Sequence, residues 1–246
     1  MKKVFKSLNI FLLNIWFYFW APFVLVLNLV FMTPLVFFSR LFGHRFTMYV
    51  FRRAISLYGR CVYYTAWPWI RVQLINPPPE KNIPYIFVEN HTSSFDPFVQ
   101  AVLPFEIVQF ARNYALRFPV LGFIAKCSGY IDVNAYSPEV IIEKGKKLLK
   151  DNVSLVLFPE GTRHTDGVVG PFHSTAFKIA IETNTPVVPV VIKGIEDKPP
   201  KGSFIFRPGV IQFKCLDPVF PEFYKNMTPF KLKKYVRNII KENYEN

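Results

Sequence analysis

The stretch Tyr85-Ile-Phe-Val-Glu-Asn-His-Thr-Ser-Ser-Phe-Asp96 changes character at Glu89. Residues 85–88 are a short apolar run that reads as a buried strand, and a polar loop follows it. The loop carries His91 and then Asp96. Histidine is the commonest general base because it titrates near neutral pH, and it needs a group on its other ring nitrogen to fix the tautomer. A carboxylate supplies that, and in a compact turn Asp96 can fold back to the imidazole. From the pair alone, a catalytic dyad and an internal loop hydrogen bond stand equally open. A metal site is disfavoured because no third ligand stands at helical spacing. Ser93 and Ser94 lie outside any Gly-x-Ser-x-Gly elbow.

Downstream, the pattern repeats. Ser137-Pro138-Glu139 starts a helix, with Ser as N-cap, Pro in the first turn and an acid near the positive end, and this helix is expected to run to Lys150. Residues 153–158 read as a second buried strand, entering the loop Pro159-Glu-Gly-Thr-Arg163. Gly161 permits positive φ and close approach to a ligand. Arg163 offers a planar fork suited to phosphate, Thr162 a hydroxyl donor, and Glu160 a carboxylate that can orient Arg163 or bind substrate hydroxyls. A plain charged turn is the alternative reading of this loop, and two such loops after two buried strands favour function. Residues 174–182 read as a helix and 187–193 as a third strand. Residues 204–206 and 210–213 flank Arg207-Pro-Gly209 and read as two strands joined by a turn. Thr228-Pro229 caps a closing helix. Strands alternating with helices imply an α/β layered domain, whose ligands sit beyond strand ends.

Upstream, residues 7–39 contain no charged side chain. That exceeds a signal peptide's apolar core of about 7–15 residues, and nothing resembling a cleavage site ends it. One span takes roughly 20 residues, so one tilted span or a bent, re-entrant hairpin fits, with Pro22 and Pro34 as bending points. Trp16, Tyr18 and Trp20 suit an interface. Residues 44–69 mix Arg52, Arg53 and Arg60 with apolar positions, as an amphipathic helix on a bilayer does, or one docked on a catalytic core. Asn76-Pro-Pro-Pro79 is a stiff break.

The whole chain is 51% hydrophobic with 30 Lys+Arg against 17 Asp+Glu, a net charge of +13. Apolar and basic together point to an anionic membrane surface or acidic substrates and carriers. Nucleic acid is not expected, since no docking motif is present. Cys61, Cys127 and Cys215 are widely spaced and read as reduced structural thiols.

With these residues in hand, the chain resembles the glycerolipid acyltransferase family typified by bacterial 1-acyl-glycerol-3-phosphate (lysophosphatidate) acyltransferases. The family block Asn-His-x-Ser-x-x-Asp is met by Asn90, His91, Ser93 and Asp96, and Phe-Pro-Glu-Gly-Thr-Arg by residues 158–163. Pro186-Val-Val-Pro189 meets a further block, and Arg112, Pro119 and Gly122 follow the pattern of another. That last block usually ends in arginine, where this chain runs Asp132-Val-Asn-Ala135. Where the family commonly has Phe-Lys-x-Gly, this chain has Phe172-His-Ser-Thr175. His164 and His173, the nearby candidates to substitute, are read as incidental loop histidines.

The resemblance implies a three-layer α/β/α domain with a mixed, largely parallel sheet over residues 81–246. It places a membrane anchor, one span or bent hairpin, at 1–42 and an amphipathic linking segment at 43–80. It implies acyl transfer from acyl-CoA or acyl-carrier protein to lysophosphatidate, without a metal or other cofactor. His91 would be general base, oriented by Asp96; Asn90, Ser93, Arg112, Glu160, Gly161, Thr162 and Arg163 would bind substrate. The implied location is the inner membrane, catalytic domain towards the cytoplasm. Other acceptors (glycerol 3-phosphate, another lysophospholipid, a lyso-aminolipid) stay open because the block's final arginine is missing. A lipid hydrolase or transacylase, or a non-catalytic lipid-binding protein, are the rival classes.

Overall fold

A computed structural model describes residues 2–78, 80, 82–112, 116–117, 120–163, 168–200 and 202–245, with side chains from residue 5 onward. Pro79, Pro119 and His164 lie outside the described residues. The chain divides into two compact units, one of residues 1–74, 92–103 and 193–213, the other of 75–91, 104–192 and 214–246.

The first unit is built on two helices. Helix α1 (Lys2–Ser39) is continuous through Pro22 and Pro34. Neither proline turns the chain back; the reversal comes after a short 3-10 turn (Arg40–Phe42), at Gly43, whose φ of 92° is open to glycine. Helix α2 (His44–Thr65) then packs against α1. The Trp16 indole donates to Thr65 O at 2.8 Å and Asn28 Nδ2 to Ala54 O at 3.3 Å. By length and composition, residues 5–42 suffice to cross a membrane; an 18-residue stretch within them has mean hydropathy 2.2 and is 6% buried.

The same α2 buries a stripe that includes Ala54, Tyr58, Gly59 and Val62. It rests on the short helix α3 (Asp96–Val99) and the turn after it, where Arg60 Nε donates to Ala101 O at 2.7 Å. The unit also holds strand β1 (Ile70–Ile75) up to residue 74 and the start of β7 (Gly209–Cys215), tied by Gly209 N–H to Trp69 O at 2.8 Å.

Residues 204–206 form no strand, contrary to the sequence expectation. Their polar groups bond to α1 instead. Asn14 takes both sides of Phe206, donating to its carbonyl at 2.9 Å and accepting its N–H at 2.8 Å, while the Tyr18 hydroxyl donates to Phe204 O. Phe17, Phe95 and Phe206 pack their rings beneath this seam.

In the second unit, β2 (Ile86–Glu89), β3 (Ile107–Ala111), β4 (Ile131–Asp132), β5 (Ser154–Leu157) and β6 (Val187–Lys193, to residue 192) run parallel in the order β6-β2-β5-β3-β4. Parallel neighbours need crossovers, and helices α4 (Leu121–Cys127), α5 (Pro138–Lys150) and α6 (Thr175–Thr183) provide them. An antiparallel bridge between Val187 and Val219 makes the sheet mixed.

Short helix α7 (Pro221–Tyr224) and closing helix α8 (Pro229–Glu245) complete the unit. Ile141, Leu149, Phe177, Ile179, Val236 and Ile240, from α5, α6 and α8, share one buried core with Ile86, Val88, Val108 and Leu155 of the strands. Gly145 lets α5 approach closely: a Cβ there would sit 2.8 Å from Ile179 Cδ1. The expected caps differ in detail. Thr228 Oγ1 accepts the Lys231 N–H at 3.3 Å, whereas Ser137 makes no side-chain capping bond.

Candidate functional site

Strand register decides what meets at the carboxyl ends of the second unit's sheet. Ile86 pairs with Leu155 and Val88 with Leu157, so continuing β2 and β5 brings His91 opposite Glu160. The contact is made: His91 N–H donates to Glu160 Oε1 at 3.0 Å. Glu160 is 5% exposed, and its other oxygen accepts Gly170 N–H at 2.8 Å. Its carboxylate therefore staples the backbone of the histidine loop to the segment before α6, and both of its oxygens are engaged with backbone. The His91 ring stacks on Phe158 with centroids 4.4 Å apart and planes 28° from parallel.

Asn90 is held by the other neighbour of β2. Its side chain donates to Ile192 O at 3.0 Å and accepts Ile192 N–H at 2.7 Å, joining the strand end to β6. This buried amide fixes where the loop leaves the sheet.

Gln109 pairs with Val156, which carries the end of β3 toward Pro159 and sets Arg112 beside the β5 loop. That loop turns tightly, with Gly161 N–H donating to Phe158 O at 3.1 Å and a φ of 66° at Gly161. A Cβ on Gly161 would lie 3.2 Å from Arg112 Nη2 and 3.2 Å from His173 Nε2. Two basic side chains thus close on one bare backbone position. His173 is held there because its N–H donates to Pro159 O at 2.8 Å. Thr162 is exposed and Arg163 half-buried at the end of this loop.

His173 was legible only as a loop histidine before α6; its placement depends on the loop folding back onto Pro159, which no local pattern announces. The Phe158 ring beneath His91 and the Gly170 bond to Glu160 are likewise unannounced.

Ser93 and Asp96 belong to the first unit. Asp96 is fully buried, and its Oδ2 accepts the N–H groups of Thr92 and Ser93, each at 3.0 Å. Ser93 Oγ accepts Phe95 N–H at 3.1 Å and donates to Lys198 O at 3.1 Å. Both side chains shape the turn after His91. Among the described residues, no three His, Cys, Asp or Glu groups are placed to hold a metal ion.

The fold and this constellation define an α/β protein with a histidine-bearing loop and a basic cradle at the carboxyl ends of a largely parallel sheet. A family model described as Acyltransferase matches residues 70–193, just over half of the chain, and the chain belongs to that family. The 1-acyl-sn-glycerol-3-phosphate acyltransferase of Limnanthes douglasii is 31% identical over 159 residues, covering 63% of this chain and 56% of the relative. The alpha form from Homo sapiens is 33% identical over 147 residues, covering 58% and 51%. The chain thus spans about half the length of the curated relatives it matches. The crystal structure of the 1-acyl-sn-glycerophosphate (LPA) acyltransferase PlsC from Thermotoga maritima superposes with a TM-score of 0.76 at 27% identity, covering 100% of this chain and 97% of that one.

Proposed function

We propose that this chain transfers a fatty acyl group from an acyl thioester, carried on coenzyme A or acyl-carrier protein, to the free hydroxyl of lysophosphatidate, forming phosphatidate. The observation that carries the reading is the meeting of a backbone-stapled His91 with the β5 loop, whose Gly161 lies between Arg112 and His173. The named relatives are acyltransferases for 1-acyl-glycerol-3-phosphate, which supports the same acceptor here.

In the proposed step the lipid hydroxyl oxygen attacks the thioester carbonyl carbon as His91 takes the hydroxyl proton. The new C–O ester bond forms, the C–S bond breaks, and the imidazolium returns the proton to the departing thiolate. A thioester is already activated, so no enzyme-bound acyl intermediate is required. Asp96 is assigned to hold the imidazole tautomer, on the chemistry of a carboxylate close in sequence to the base. Asn90 and Ser93 set the loop, and Glu160 positions it. Arg112, Arg163, Thr162 and the Gly161 backbone hold the acceptor phosphate, with His173 added to that set. The long apolar α1 supports action at a membrane, and the assigned location is the inner membrane with the site on the cytoplasmic side.

The test offers membranes carrying the protein labelled acyl-CoA and acyl-carrier protein, with lysophosphatidate, glycerol 3-phosphate, zwitterionic lysophospholipid and lyso-aminolipid as acceptors. Wild type is compared with His91→Ala, whose transfer is expected to fall about 10²–10⁴-fold. Equal transfer by the variant sinks the mechanism. Transfer only to acceptors lacking phosphate sinks the role given to the basic cradle.

A further inference from the structure

The first unit contains a cavity of about 860 Å³ that shares no residue with the site described above. It is lined by Phe5, Lys6, Asn9 and Ile10 of α1 together with Asp197, Arg207 and Pro208. Phe5, Lys6, Asn9 and Ile10 lie on one side of the helix, as spacings of three to four residues require. Arg207 is brought there by the seam along α1, because it follows Phe206, which Asn14 clasps on both sides.

Two cations, Lys6 and Arg207, therefore line one cavity from segments far apart in sequence. The single acid among the lining residues, Asp197, already has a counterion: Lys198 Nζ lies 2.6 Å from its Oδ1, and that lysine side chain is 5% exposed. Among the described lining residues no second acid faces Lys6 and Arg207, and Phe5, Asn9, Ile10 and Pro208 complete the wall.

Polarity changes in one direction along this seam. The segment 203–208 runs against α1 with Arg207 and Pro208 at the level of residues 5–10, Phe206 at Asn14 and Phe204 at Tyr18. Phe204 is 80% exposed and Ile205 55%, and Phe11, Ile15 and Phe19 of the helix are exposed as well. A cationic end and an apolar length, both solvent-facing, match a molecule with an anionic head and an acyl tail. A soluble anion would use the cations and leave the apolar flank unmatched.

We propose that the cavity between the start of α1 and Arg207 binds the headgroup of an anionic phospholipid of the surrounding bilayer. Its phosphate pairs with Lys6 and Arg207, and its chains lie along Phe204, Ile205 and the outer face of α1. The site is separate from the reaction and its occupancy requires no turnover.

The full-length protein in neutral detergent is offered phosphatidylglycerol and phosphatidylcholine of the same chains, and retained lipid is counted by native mass spectrometry. Wild type is expected to retain phosphatidylglycerol at least about tenfold over phosphatidylcholine, on the scale of a charge-assisted contact of about 1.4 kcal/mol or more. Lys6→Gln with Arg207→Gln is expected to abolish that preference. Lys231→Gln with Lys234→Gln, on the exposed face of α8, removes the same charge and is expected to preserve it. Equal retention of both lipids by wild type, or equal loss in both double variants, overturns the proposal, the latter assigning the effect to net charge. Displacement of the retained lipid by millimolar inorganic phosphate also overturns it, by showing a free-anion site.

Discussion

Glu160 is a buried carboxylate with two backbone N–H groups to satisfy, one on each oxygen. Glu160→Gln keeps the shape but replaces one acceptor with a donor, so either His91 N–H or Gly170 N–H loses its partner. Leaving a buried donor unsatisfied costs about 1–3 kcal/mol. The expected outcome is a lower thermal midpoint and a lower kcat together, read by calorimetry and initial rates. An unchanged midpoint would show that the carboxylate is not holding the loop. His173 predicts a different split. If its imidazole contacts the acceptor phosphate, His173→Ala raises KM for lysophosphatidate about 10–100-fold, the value of a hydrogen bond to a charged group, with kcat nearly constant. His173→Lys places a hydrogen-bond donor in reach of the phosphate and recovers most of the loss. Equal effects on phosphate-bearing and phosphate-free acceptors would assign His173 to loop packing alone. The sequence offered His91, Glu160 and Gly161 because each sits just past an apolar run, and Arg112 only through the family block it matches. It could not separate their roles: that Glu160 binds backbone and Asn90 binds Ile192 depends on strands distant in the chain.

Elements differ in how plainly the chain announces them. Strands β2, β5 and β6 are buried along almost their whole length, so they appear as continuous apolar runs. Strand β1 buries only its first residue fully, and β4 is two residues long, so neither leaves such a run. Residues 204–206 look like a strand by composition yet lie against α1, because Asn14 and Tyr18 supply the hydrogen bonds a ladder would. An asparagine within an apolar helix was the one local sign. Asn14→Ala removes both bonds to Phe206, about 1 kcal/mol each net. Hydrogen exchange is expected to accelerate at residues 203–208 while β2, β5 and β6 stay protected; unchanged exchange there would refute the tie.

At the scale of the molecule, the second unit carries its own core, and Cys215 and Tyr224 report on it from outside the apolar helix. The Cys215 thiol is fully buried; burial first, and the nearby Glu89 charge second, push its pKa from 9.0 up to about 12. Burial likewise raises the Tyr224 hydroxyl, which donates to Thr185 O at 2.7 Å, and the charge of Glu222 adds to the shift. Both groups hold their protons more tightly folded than unfolded. Their contribution to stability is therefore complete below the unfolded values, and it is lost as pH rises from about 9 through the folded ones. The unfolding free energy is expected to decline across that alkaline range, and Cys215→Ala to flatten part of the decline. Cys61 and Cys127 are half-buried, so iodoacetamide at pH 8 is expected to modify them in the native protein and to reach Cys215 only after unfolding. Peptide mapping of the labelled chain checks the order, and early modification of Cys215 would mean that the core around β7 opens under native conditions.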